Sequence, residues 1–175
     1  MLIKNELIAG VCIALGTFIW ICLEFATGLH SEWIDYHSYI TNLAYVIPVI
    51  GIHWAVKKRY YTFAPGTFQI KDGLISGVIA SVVSAALTIP LLWMFFTYIN
   101  PAFFASMIGV SVKHAMQKGE NAIQAVHDAQ EYYNLSSYLI QAFTAALMLG
   151  LLISLMVSFR LMKKEQSFVK KKQSV

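Results

Sequence analysis

The sequence predicts an all-α membrane protein with four transmembrane helices and an outer interfacial helical segment between spans three and four. Three observations carry this reading. The 175 residues are 58% hydrophobic, well above the roughly 45–50% of soluble domains. Four long stretches are almost free of charge: Leu7 to Leu23, Ser38 to Val56 with only His53, Gly73 to Val112, and Tyr132 to Phe159. Basic residues gather at alternate ends of these stretches, as the loops of a polytopic chain require. A helix needs about 20 apolar residues to cross a bilayer, and lipid offers no partner to an unpaired amide, so each crossing must be helical.

The first span is expected over 5–27. It reads as retained, because "MLIKNE" sets one Lys against one Glu and no small-x-small cleavage site precedes Glu24 and Phe25. Cys12 and Cys22 lie in it ten residues apart, ~15 Å on a helix, and read as small buried apolar residues rather than a bridge. The second span is expected over 37–57, kinked at Pro48. The following loop, "KKRYYTFAPGTFQIKDG", combines interfacial tyrosines with a Pro65-Gly66 turn.

The third span, 72–98, carries Gly73, Gly77, Ser81 and Ala85 every four residues, with a further kink at Pro90. Asn100 and Pro101 end it, since proline cannot continue the helical ladder, and "PAFFASMIGV" then lies along the interface. The fourth span, 135–161, repeats the small-residue stripe with Ala142, Ala146, Gly150, Ser154 and Ser158. Small residues at this spacing let two helices approach closely in lipid. The chain thus reads as one membrane domain, 1–165, with a basic cytoplasmic tail, 166–175.

Eleven of the thirteen basic residues flank one side of this arrangement, and only Lys113 and Lys118 the other. The bias places both termini and the Lys57 to Lys71 loop in the cytoplasm. The net charge of +4 therefore sums a basic inner rim, suited to anionic lipid headgroups, with an acidic outer cap holding His30, His37, His114 and His127. Nucleic acid is excluded as a partner, because "VKKKQS" follows a span and lacks interleaved aromatics.

No G-x-S-x-G, CxxC, H-E-x-x-H, phosphate-binding or dinucleotide motif is present, and no catalytic or cofactor role is assigned. Within the spans the ionisable groups are Glu24 and His53, both near ends where they can snorkel to water. Asn42, Thr88 and Gln141 offer little of the polar path that an ion carrier needs. The expectation is an accessory or structural component acting through contacts with lipid, itself or another membrane protein. The alternative is a small transporter or permeability factor, for instance for a divalent metal.

The stretch "EFATGLHSEWIDYH" gathers two histidines and three carboxylates, and two readings fit it. In one, Ser31 caps a helix whose first turn holds Glu32 and Asp35, Trp33 and the tyrosines anchor at the interface, and the histidines are incidental. In the other, Glu24, His30, Glu32 and His37 converge on a cation such as zinc, which imidazole and carboxylate suit. That requires the turn at Gly28 to fold Glu24 and His30 back over the start of span two, with His114 or His127 able to join.

"LEFATGLHSEWIDYHSYITNLAYVIP", "TFQIKDGLISG" and "YYNLSSYLIQAFTAALMLGL" before a basic tail resemble a bacterial four-span membrane family of unknown function, family 4199 of such domains. Glu24, Gly28, His30, His37, Asn42, Pro48, Gly73, Gly77, Asn134, Gln141 and Gly150 match its pattern. The resemblance implies the topology and a bacterial inner membrane, and brings no established activity.

Overall fold

The computed structural model describes the backbone of residues 3–173 and the side chains of residues 3–164. The side chains of the expected basic tail, 166–175, lie outside the described residues. Among those described there are six helices and no strand. They are α1 (Lys4–Ala26), α2 (Ile34–Tyr60), α3 (Ile70–Met94), α4 (Phe103–Gln117), α5 (Ala122–Tyr132) and α6 (Leu135–Gln173).

Four are long and apolar enough to cross a membrane: Lys4–Ala26, Ile34–Tyr60, Ile70–Ile99 and Leu135–Lys164. These overlap the four expected spans and make the chain an all-α membrane protein. Between 17% and 33% of each apolar window is buried. The remaining apolar surface, including Ile19, Ile50, Ile140 and Met156, has the character that lipid requires.

Local chemistry explains the irregular parts. The sequence predicts a kink at Pro48; there α2 winds as a 3-10 helix over Thr41–Tyr45 and becomes regular at Val46. Pro48 has no N–H for the Ala44 carbonyl, and its ring crowds that oxygen. Pro90 sits inside α3, which continues to Met94 and then widens into a π-turn, Phe95–Ile99. The Asn100 N–H donates to the Phe95 carbonyl at 2.9 Å, closing the widened turn. α5 is capped by Asn121, whose side-chain oxygen accepts from the Ile123 and Gln124 amides.

Packing forms two compact units. The first contains the chain up to Gly16, Tyr45–Leu87, and the chain from Thr144 onward. Its cores are Ile13, Ile52, Val56 and Phe68, and Ala9 with Ala55 and Ala80. Here the two small-residue stripes meet in antiparallel register: Gly73 faces Ser158, Gly77 faces Ser154, and Gly150 faces Ser81. The buried hydroxyls stay on their own helices, Ser81 donating to the Gly77 carbonyl, Ser154 to Gly150 and Ser158 to Ser154. Hydroxyls satisfied this way leave the opposite surface free to pack closely.

Glu6 is 1% exposed in this unit. Its Oε1 accepts from Arg59 Nη1 and from Ser76 Oγ, each at 3.0 Å. The acid stands in the first turn of α1 and the cation in the last turn of α2, where the helix dipoles favour each.

The second unit contains Thr17–Ala44 and Thr88–Phe143. Its core is aromatic, built from Ile21, Leu92, Phe95, Phe96, Phe103 and Met107, with α4 packed on α5. Sequence charge follows the same division. All eleven basic residues of the expected inner rim fall in the first unit, and Lys113 and Lys118 in the second.

Candidate metal centre

The centre is built by the end of α1. Gly28 adopts φ +78°, a left-handed conformation that glycine reaches without a Cβ clash. Around it the Leu29 N–H donates to the Glu24 carbonyl and the Gly28 N–H to that of Phe25. This is the hydrogen-bond pattern of a Schellman closure, and Leu29 just beyond the glycine is buried. The reversal carries His30 back over Glu24, while Ser31 and Trp33 bond to the Gly28 carbonyl and lead into α2. His37 follows at the first α-helical turn of α2.

Glu24, His30 and His37 thereby converge, each offering a ligand atom within 4.8 Å of the other two. Glu24 Oε2 lies 3.4 Å from His30 Nε2 and 3.8 Å from His37 Nε2, with all three side chains at most 6% exposed. Ligand atoms held 2.0–2.1 Å from a tetrahedral zinc stand about 3.3–3.5 Å apart, so two of these spacings need little adjustment. Glu24 Oε1 accepts from the Trp20 indole at 2.6 Å, and Asn100 Nδ2 lies 3.1 Å from His30 Nδ1. Phe103 packs 4.7 Å from the His30 ring and 5.2 Å from that of His37, with Phe95 and Phe25 completing an apolar wall. Such a wall excludes water and strengthens every electrostatic contact within it.

Several expectations are corrected by this geometry. Glu24 does not snorkel to water but turns inward. Glu32 is exposed and stands apart from the other three. Ser31 donates to the Gly28 carbonyl rather than capping a helix, and Trp33 holds the N-cap position with no side-chain bond. His114 lies 3.7 Å from Asp35, and His127 beside Asp128 at 3.5 Å, so neither joins. Sequence reasoning missed Trp20 and Asn100 as partners of the site; Asn100 had signalled only the end of a span.

The family model described as "Protein of unknown function (DUF4199)" matches residues 9–163. The chain belongs to this family. For this DUF4199 member, no curated protein and no solved structure matches. The matched region includes Glu24, His30, His37 and Asn100.

A separate pocket of about 340 Å³ opens in the second unit, lined by Ile34, Asp35, Met107, His114, Lys118 and Tyr133 among others. Burial, reinforced by the neighbouring Tyr132, raises the Tyr133 pKa, so its phenol remains protonated at neutral pH. Glu24, His30 and His37 do not line this pocket.

Proposed function

We propose that the protein is an accessory component of a bacterial inner membrane in which Glu24, His30 and His37 hold a divalent transition-metal ion. The observation that supports this best is the convergence of one carboxylate and two imidazoles, all buried, within 4.8 Å. Two nitrogens and one oxygen suit zinc or a neighbouring divalent metal, with a further coordination position left to water or another ligand. The ion ties the end of α1 to the start of α2 and stabilises the turn between them. An accessory role accords with the first unit, whose buried serines bond to their own helices or to Glu6. Its apolar outer surfaces face lipid or a protein partner.

Zinc at a free concentration 100-fold above its Kd is expected to raise the Tm of the purified protein by roughly 5–10 °C at neutral pH. The gain declines toward pH 5, because protonated imidazoles cannot ligate. A His30→Ala, His37→Ala variant loses the response; a wild-type protein indifferent to zinc defeats the proposal. The same protein in liposomes is expected to bind zinc without moving it across the bilayer. Zinc accumulation dependent on His30 and His37 would instead favour a carrier.

The charge division supports an orientation with both termini in the cytoplasm. In a background lacking Cys12 and Cys22, Ser31→Cys and Glu120→Cys are expected to react with an impermeant thiol reagent in cells with a permeabilised outer membrane, and Thr62→Cys is not. The opposite labelling pattern overturns the orientation.

A further inference from the structure

We propose that Asn100 is a positioning residue for this centre, holding Nδ1 of His30 in either tautomer and reversing its amide when a metal binds. The inference rests on the metal reading above. Asn100 is 7% exposed. Its backbone is held independently of its side chain, the N–H donating to the Phe95 carbonyl at 2.9 Å and the carbonyl accepting from the Phe103 N–H at 3.3 Å. Pro101 follows and further restricts the backbone. The side chain can therefore change while the turn persists.

The network assigns a direction to each bond. A carboxylate accepts only, so the contact between Glu24 Oε2 and His30 Nε2 requires the imidazole to donate from Nε2. A neutral ring then presents a lone pair at Nδ1, and the amide 3.1 Å away must offer its NH2 group. The run is Asn100 to His30 to Glu24, each donating to the next.

An ion reaching Glu24 and His37 meets His30 at the same Nε2. To ligate there, the neutral ring must carry its one proton on Nδ1 instead. That Nδ1–H would face the NH2 group of Asn100, donor against donor. Turning the amide by 180° brings Oδ1 into place as an acceptor. The ring holds one proton before and after, moved from Nε2 to Nδ1 by exchange. Asparagine can serve both arrangements, whereas aspartate serves only the metal-bound one and leucine neither.

The test combines nitrogen-15 NMR of the imidazoles, assigned with a His30→Gln variant, with zinc titration of the purified full chain. In metal-stripped wild type the His30 ring is expected as the Nε2–H tautomer, and zinc converts it to Nδ1–H. Asn100→Asp, which offers acceptors only and so matches the metal-bound arrangement, binds zinc at least as tightly as wild type. Asn100→Leu keeps the Nε2–H ring that Glu24 sets but weakens zinc binding by roughly 10–100-fold. The contrast between the two variants separates this role from mere packing. The tautomer readout keeps the proposal testable if a variant is poorly folded, because the wild-type conversion on zinc binding alone is decisive. An Nδ1–H ring in metal-stripped wild type, or a folded Asn100→Leu with unchanged zinc Kd, overturns the proposal. Should wild type not bind zinc while its ring is the Nε2–H tautomer, the metal reading and the amide reversal fall, and the donation from Asn100 to Nδ1 stands.

Discussion

Glu6→Ala and Arg59→Ala are each expected to cost about 3–5 kcal/mol of stability, because each leaves its partner charged and buried. Glu6 is 1% exposed and the Arg59 side chain 12%, with Glu6 Oε1 and Arg59 Nη1 3.0 Å apart. Among the described residues neither Glu6 Oε2 nor Arg59 Nε has a hydrogen-bond partner. The pair is therefore incompletely satisfied, and a half-satisfied polar network is sensitive to further loss. Replacing both members together removes the uncompensated charge: Glu6→Leu with Arg59→Met is expected near wild-type stability. Thermal unfolding of the three variants in one detergent checks this. A double variant as unstable as either single one would show that shape rather than charge pairing governs the position.

Gly77→Leu and Gly150→Leu are expected to lower stability by about 3 kcal/mol, the upper end of ordinary overpacking, and Tm by roughly 6–12 °C. A Cβ at Gly77 falls on the Ser154 side chain and 3.3 Å from the Gly150 carbonyl; one at Gly150 falls on the Ser81 side chain. Leucine extends further still, so α3 and α6 must separate. Helix association in lipid depends on close van der Waals contact, which weakens quickly as a gap opens. Val82→Leu is the control, being 47% exposed on the same helix. Val83 is unsuitable, since it packs where a Cβ on Gly10 would lie 2.6 Å away. A size exchange, Gly150→Ala with Ser81→Gly, is expected to recover much of what Gly150→Ala alone loses. Equal tolerance of leucine at Gly77, Gly150 and Val82 would remove the stripes as contact faces.

Hydropathy alone located the four spans to within a few residues. A bilayer-length apolar run has few alternatives once every backbone amide must be satisfied internally. The four-residue stripes of α3 and α6 were also legible, because small side chains at that spacing form one face of any helix. Gly10 and Gly51 were not. Each belongs to a close approach, to Val83 and to Ile13, that no periodicity in its own segment announces.

The metal-site candidates were only partly visible. Glu24, His30 and His37 stood out as titratable residues beside spans, and Gly28 marked the place where the chain could reverse. Glu32 carried the same chemical signal, yet it is exposed while the other three are buried. Residue type cannot reveal which way a short loop turns its side chains. Asn100 lies seventy residues from His30, and Glu6 lies 53 from Arg59; no local pattern links such pairs. The sequence by itself determined the spans, the charge asymmetry and the chemistry on offer, because these depend on transfer energies and helical spacing. Tertiary structure decided which polar groups share a buried site, because only packing brings distant residues within hydrogen-bonding range and shields them from water.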